Sequence, residues 1–359
     1  MKIGFDAKRY FQNSTGLGNY SRWLVDGLAS LNTLDIHLYH PNELSQKIEL
    51  PIHQPSGFIK KVPSLWRTRF VCSRLESDGM HVFHGLSNEL PFGIHKTTIK
   101  SIVTIHDLIH KRYPSYYSAI DKIIYNRKVY YAQKHADIIV TPSEQTKTDI
   151  IEFYDTDPAK IKVIPLSVSS KKIAIANKTT NKKYILCVSS FDKRKNLLNL
   201  VQAFESIPGN DFELVLAGKK GDTSDEIIQY LSQSKSQVKV IFNVPQKQLE
   251  ELYTNSSFCV YPSEFEGFGI PILEAFSYGK TVATSNTSSM PEVGGEAAMY
   301  FDPLSTENIA SVLQMLMRIE DRVPLVSRIT KQLEKFDSLK LLRQYEDLYK
   351  SLAYDSVEP

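Results

Sequence analysis

Cysteine is scarce. Only Cys72, Cys187 and Cys259 occur, far apart and without a C-x-x-C pair. Neither a disulfide framework nor a structural zinc site is expected, and a reducing compartment fits better. No stretch approaches the roughly 18 uninterrupted apolar residues that a membrane-spanning helix needs. The opening MKIGFDAKRY sets a short apolar beat between charges, as a buried strand does and a secretory signal does not. The net charge of +3 is too small to argue for nucleic acid as a partner. These absences predict a soluble cytosolic protein. What is present is an ordinary globular balance, 42% hydrophobic and 23% charged over 359 residues. That length suits two cores, at about 100–200 residues per domain.

The weak net charge is unevenly spread. Residues 1–167 carry 21 Lys and Arg against 16 Asp and Glu, while the remainder carries 22 against 24. The excess gathers in two aromatic-laced stretches, FIKKVPSLWRTRFVCSR (58–74) and HKRYPSYYSAIDKIIYNRKVYYAQKH (110–135). Basic residues interleaved with Trp and Tyr suit an anionic membrane face, where charges meet headgroups and rings sit at the boundary. The same pattern also arises when rings pack inward and Lys and Arg solvate an outer helix face.

Short β-rich apolar beats alternate with longer helical patterns, the signature of a parallel sheet covered by helices. Strands are predicted at 2–6, 35–40, 81–85, 101–107, 137–143 and 161–166, with helices at 19–32 and 116–135. Residues 167–183 are polar and Lys-rich and read as a linker. A second series follows, with strands at 184–190, 212–218, 239–244, 258–263 and 281–285 and a helix at 196–207. The economical reading is two doubly wound α/β domains in tandem, 1–167 and 168–336. The tail 337–356 carries an apolar stripe at helical spacing, and is expected to cross back onto the first domain.

The most informative segment is YPSEFEGFGIPILEAFSYGKTVATSNTSSMPEV (261–293). Pro271 suits the first turn of a helix, where its missing N–H costs nothing, and Gly279 suits its end. Ahead of that helix, Gly267 and Gly269 let the backbone approach a ligand, so that Gly267, Phe268, Gly269 and Ile270 present N–H groups suited to phosphate. Glu274 lies about one turn in, within reach of a ligand at the same end. Glu266 and Glu274 would repel an anion, and are better suited to gripping sugar and ribose hydroxyls. The plainer alternative is a loop-to-helix turn with a capping Glu.

The stretch EGFGIPILE (266–274) resembles the E-x7-E motif of retaining glycosyltransferases of the GT-B fold, in particular glycosyltransferase family 4. Members also carry R-K-N after the first strand of the second domain, here Arg194, Lys195 and Asn196. TIHDL (104–108), TPSEQTKTDI (141–150), VIPL (163–166), LAGKKG (216–221) and VPQKQLEELY (244–253) stand in the family's order. Where many members have Gly-Arg at the strand end, this chain has Ser189-Ser190, which leaves Arg194 and Lys195 as the main cationic pair. The resemblance implies two Rossmann-like domains facing a cleft, the second holding a nucleotide-diphospho-sugar. Cleaving that sugar leaves charge on the departing phosphate, and positioned Arg and Lys stabilise charge where it develops. The base would be read by backbone groups near Asn243 and Val244; Ser285, Asn286 and Thr287 either add small polar contacts or form a loop simply rich in turn formers.

The first domain is expected to hold the acceptor. Gly16 and Gly18 stand directly before a helix, either as a tight turn or, as the family resemblance implies, facing donor phosphates and acceptor. His106 and Asp107 end a buried strand, in the crevice position where parallel sheets place ligands. The resemblance puts a His here beside the transferring sugar, with Asp107 orienting it or holding an acceptor hydroxyl. His84 and Gly85, ending the preceding strand, are further acceptor-side candidates. Asp155-Thr156-Asp157 matches a metal-binding D-x-D, but Asp157-Pro158 reads as an N-cap and first turn. No metal and no resident cofactor are expected.

The resemblance extends to bacterial enzymes that build O-antigen or capsular polysaccharide on a lipid carrier. The pattern PSEFEGFGIPILEA…MPEVGGEAA is most similar to mannosyltransferases, which implies GDP-mannose as donor, with UDP-sugars open. Two rivals are a nucleotide-sugar epimerase of related fold and a non-catalytic sugar-nucleotide-binding partner. Product analysis without acceptor separates the first, because an epimerase needs none.

Overall fold

Alternation of Val, Ile, Leu and Phe with turn-forming residues sets up two parallel sheets. In a computed structural model that describes residues 1–13, 16–44, 48–168, 183–234, 236–319 and 323–354, the chain divides into two units. One comprises Met1–Ser167 with Ser338–Pro359, the other Val168–Asp337. Nearly all of the linker predicted at 167–183, and the last two residues of the tail predicted to 356, lie outside the described residues.

The first unit contains β1 (Lys2–Asp6), β2 (Asp35–Tyr39), β3 (Ile52–His53), β4 (Val82–Gly85), β5 (Lys100–Thr104), β6 (Ile138–Thr141) and β7 (Ile161–Val163). Their order is β3-β2-β1-β4-β5-β6-β7, with every pairing parallel. Central strands buried on both faces explain the near-continuous apolar runs. Ile3, Phe5, Val82 and Ile102 are inaccessible to solvent. The predicted strand 101–107 stops at Thr104, so His106 and Asp107 sit in the loop beyond it. β3 escapes sequence reading because it is two residues long.

The second unit contains β8 (Tyr184–Val188), β9 (Glu213–Gly218), β10 (Val238–Phe242), β11 (Phe258–Tyr261), β12 (Val282–Ser285) and β13 (Ala298–Phe301). They run in parallel in the order β10-β9-β8-β11-β12-β13. Leu197–Glu205, the helix after β8, buries Leu200, Val201 and Phe204 against a core that includes Phe191, Phe258 and Phe301. In each sheet the winding reverses once, between β1 and β4 and between β8 and β11. Open α/β sheets bind ligands at the carboxyl ends of the strands flanking such a reversal.

The tail forms the helix Ser338–Tyr354, which joins the first unit. Its apolar stripe lies against the helix Gly16–Ser30. Gly27 leaves room for Leu342, whose Cδ1 would stand 2.6 Å from a Cβ added there. The Trp23 indole N–H donates to Ser338 Oγ (2.7 Å), and the hydroxyls of Tyr20 and Tyr345 meet at 3.0 Å.

Candidate functional site

The carboxyl ends of β8 and β11, flanking the reversal in the second unit, carry the charged residues singled out from sequence. After β8 the chain turns through Ser189–Asp192 into a short 3-10 turn, Lys193–Lys195, and Asn196 adopts φ 57° before the next helix. The Asn196 side-chain amide donates to the Pro303 carbonyl (2.7 Å), as does that of Asn199 (2.8 Å). The turn is seated by two glycines. A Cβ at Gly218 would stand 1.7 Å from the Ser189 carbonyl oxygen, and one at Gly221 would stand 2.4 Å from the Phe191 backbone. LAGKKG therefore supports the basic turn from beneath, a role sequence reading did not assign.

The loop after β11 brings Glu266 to that turn. Its carboxylate accepts from the Arg194 guanidinium at 2.8 Å and pairs with the Lys195 ammonium. Burial alone would raise this carboxyl, but Lys195 and Arg194 outweigh it and hold it at about 2. Burial lowers the Lys195 ammonium, with Glu266 opposing the shift. Two cations thus meet in a partly buried place, where an anion that contacts them is attracted more strongly than in water.

The loop is pinned by Ser288 and Ser289, which sequence reading also passed over. The Glu266 N–H donates to Ser288 Oγ (3.1 Å), and Ser289 Oγ donates to the Glu266 and Phe268 carbonyls (3.0 and 2.6 Å). Phe268 is buried edge-on to Phe336. Gly269, at φ 118°, is the N-cap of the helix Ile270–Ser277, with Pro271 in the first turn. Only glycine adopts that backbone angle without strain. The first N–H groups of a helix lack internal acceptors and carry partial positive charge.

A small cavity lies where these parts meet, walled by Ser189, Lys195, Ser263, Glu266, Gly269 and Ile272 among others. It unites Lys195, Glu266 and Gly269. Glu274 stands one turn further along the helix and accepts a hydrogen bond from the Tyr253 hydroxyl (2.9 Å). Burial raises its carboxyl and the Tyr253 bond offsets this only in part. Asn243 follows β10 with φ 52°, and its N–H donates to the Gly218 carbonyl (2.9 Å), which leaves its own carbonyl and Val244 for any base contact. The Asn286 N–H donates to the Phe301 carbonyl (2.8 Å) and the Thr287 hydroxyl to the Glu264 carbonyl (2.9 Å), so both have structural duties; the Ser285 hydroxyl is buried without a partner.

In the first unit Gly16 opens the helix Gly16–Ser30; Ser14 and Thr15 lie outside the described residues. Gly18 is required sterically, since a Cβ there would overlap the Asn13 carbonyl oxygen at 1.8 Å. Its N–H already donates to the Asn13 side chain (3.1 Å). His106 Nε2 bonds the Leu86 carbonyl (2.9 Å), which fixes the proton on Nε2, and the ring packs edge-on against Tyr20. Burial drops its pKa to about 4 against the pull of that carbonyl. His106 is therefore a neutral imidazole at physiological pH. Asp107 Oδ1 accepts from the Ile109 N–H (3.2 Å).

His84 must be withdrawn from the acceptor-side candidates. It is completely buried, with Nδ1 bonded to the Tyr349 hydroxyl and Nε2 to Thr104 Oγ1, both at 2.8 Å. Its task is to fasten the tail helix to the sheet. Gly85 is likewise structural, because a Cβ there would stand 2.2 Å from the Glu89 carbonyl oxygen. The D-x-D triplet sits in a turn. Asp155 closes the helix Glu144–Tyr154 at φ 50°, Asp157 Oδ1 accepts from the Ala159 N–H (2.9 Å), and Thr156 bonds Gln133 (2.9 Å).

Residues 168–335 match the family model described as glycosyl transferases group 1, and residues 16–172 the one described as Glycosyltransferase Family 4. Among curated relatives, O-antigen chain mannosyltransferase B of Escherichia coli is 27% identical, over 98% of this chain and all of that one. O-antigen chain mannosyltransferase RfbU of Salmonella typhimurium is 26% identical, over 92% of this chain and 94% of that one. Among solved structures, a glycosyltransferase from Rickettsia africae superposes with a TM-score of 0.74 at 19% identity, covering 98% of each chain. At that identity the likeness speaks for the fold.

Proposed function

Because the chain belongs to the group 1 glycosyl transferases, with a Glycosyltransferase Family 4 domain ahead of the group 1 domain, we propose that it is a retaining mannosyltransferase. It moves mannose from GDP-mannose to a glycan acceptor in the synthesis of bacterial O-antigen or capsule. The observation that carries the reading is the cluster of Arg194, Lys195 and Glu266 beside the amino end of the helix Ile270–Ser277. The names of the two O-antigen relatives support the choice of mannose.

The mechanism follows from where charge must go. A pyrophosphate entering the cluster takes over part of the pairing now made by Glu266. Lys195 and Arg194 then face the phosphate oxygens that gain charge as the glycosidic bond breaks. The departing phosphate accepts the acceptor's proton, and the new bond forms on the face just vacated, so configuration is retained. His106, neutral and with its Nε2 proton engaged by the Leu86 carbonyl, accepts a sugar hydroxyl's proton in a hydrogen bond to Nδ1. Glu266 and Glu274 hold hydroxyls of the sugar and the ribose. Two cations and a helix end meet the diphosphate's charge, so no metal is invoked.

The assay is transfer from GDP-mannose to a mannose-terminated lipid-linked oligosaccharide, with and without chelator, and the product anomer read by NMR. Transfer with an α-linked product in both conditions is expected. Conversion of the nucleotide sugar without acceptor would instead identify an epimerase.

A lipid-linked acceptor also accounts for the basic aromatic stretches. Among the described residues no helix is long and apolar enough to cross a membrane. Instead, the helix Ala119–His135 leaves Ile120 and Ile123 about 70% exposed, with Ile124 and Tyr130 also exposed. Lys122 and Arg127 share that helix, a combination that suits peripheral contact with the anionic inner face of the cell membrane. The double substitution Ile120→Glu/Ile123→Glu is expected to cut co-sedimentation with phosphatidylglycerol vesicles at least tenfold, while activity on a soluble acceptor persists. Undiminished sedimentation would remove this helix from the membrane contact.

A further inference from the structure

Past the end of β5 at Thr104, Ile105 makes the last bond to the neighbouring strand, to the Val140 carbonyl (2.9 Å). His106 comes next and is buried, so its main-chain N–H needs a partner that the sheet does not supply. The turn after β4 supplies it: Asn88 Oδ1 accepts from the His106 N–H at 2.9 Å. The same asparagine donates its own N–H to the Thr104 carbonyl (2.9 Å). Two residues earlier, the Leu86 carbonyl takes the His106 Nε2 proton (2.9 Å). One turn thus holds both the backbone and the ring of His106. From α-helical Glu144–Tyr154, the Thr146 hydroxyl donates to the His106 carbonyl (3.2 Å). What holds these atoms also sets where Nδ1 stands.

Asn88 does this from an unusual backbone. Its φ is 58°, in the left-handed region that strains most side chains and that asparagine tolerates. The next residue, Glu89, pairs with Arg67 and, at 3.0 Å, with Lys128, which anchors the far side of the turn. Glycine would take that φ without cost but offers no acceptor. Aspartate offers the acceptor, and alanine provides neither. We infer that Asn88 is a positioning residue for transfer: its side-chain carbonyl fixes the His106 backbone, and with it the place where Nδ1 meets the sugar hydroxyl. The inference rests on the transferase reading and adds to it a residue that acts through His106.

The test compares Asn88→Gly, Asn88→Ala and Asn88→Asp in the full chain. Asn88→Gly and Asn88→Ala should each lower kcat for mannosyl transfer about tenfold, as loss of one hydrogen bond does, with donor KM within about twofold. Asn88→Ala should melt below Asn88→Gly, because it alone adds backbone strain. Asn88→Asp should keep kcat within about threefold of the wild type, since the acceptor remains. Hydrogen exchange at the His106 amide, followed by NMR, should quicken at least tenfold in Asn88→Gly and stay slow in Asn88→Asp. In a His106→Ala background, Asn88→Gly should cost no further activity, because both changes act through one ring. Wild-type kcat in Asn88→Gly, equal losses in Asn88→Gly and Asn88→Asp, or a full additional loss in the His106→Ala background would each overturn the inference. So would kcat losses that follow Tm and run deepest in Asn88→Ala. Faster exchange at the His106 amide of Asn88→Gly, in a protein that transfers no mannose, would leave the hold on His106 standing and defeat the transferase reading. Mannosyl transfer with exchange unchanged in Asn88→Gly would do the reverse.

Discussion

Replacing Lys195 by alanine is expected to lower kcat for mannosyl transfer by about 10²–10³-fold, the usual consequence of removing one positioned donor from developing charge. The loss should fall on kcat more than on donor KM, because the interaction strengthens only as the glycosidic bond breaks. The fold should survive. Glu266 keeps its 2.8 Å bond to Arg194, so the substitution does not strand a carboxylate. Circular dichroism overlaying the wild type, with transfer lost, is the expected pair of results; near-normal turnover would refute the role. The partner substitution behaves differently. Glu266→Gln removes the carboxylate that bonds both Arg194 and Lys195, and should destabilise the protein. Because the Glu266 carboxyl sits at about 2 when folded, below its ordinary value, its stabilising contribution is complete above about pH 4.5 and fades as pH falls toward 2. The stability gap between wild type and Glu266→Gln should therefore close on acidification.

The second large effect has opposite signs for stability and activity. Glu274 is buried with a raised carboxyl, so the folded state binds a proton more tightly than the unfolded chain. Stability then falls as pH rises through and above the ordinary carboxyl value of about 4.5. Glu274→Gln keeps the acceptor for Tyr253 and abolishes the charge. It is expected to raise Tm at pH 7–8, with no gain at pH 4. The same change removes a charged acceptor from the donor's hydroxyls, where such hydrogen bonds are worth about 1.5–3 kcal/mol. Donor kcat/KM should fall roughly 10–100-fold. A Tm that rises while catalysis collapses would mark Glu274 as a functional residue tolerated at a cost to stability, and unchanged donor kinetics would leave it a core residue only.

Much of this was legible in the sequence, because the relevant signals are local. Pro271 after Gly269 marks a helix start, and the apolar beats of β1, β8 and β11 mark buried parallel strands, since both follow from backbone preferences over a few residues. The E-x7-E spacing also places both acids in one loop-and-helix unit. Features that depend on distant chain were not legible. His84 looks like a strand-end ligand until Tyr349, 265 residues away, takes its Nδ1. Gly218 reads as an ordinary strand terminus until the Ser189 carbonyl is found against it. Ser288 and Ser289 resemble any turn-rich loop until they cap the backbone of Glu266 and Phe268. β13 was missed because AMYF is short and half exposed, and pairs with β12 only.

The decisive measurement is a crystal structure of the chain with GDP-mannose bound. The account predicts the β-phosphate within hydrogen-bonding distance of Lys195 Nζ and of the N–H groups at Gly269 and Ile270, with Arg194 turned from Glu266 toward the same oxygens. A diphosphate seated away from the ends of β8 and β11, with both cations still closed on Glu266, would contradict it.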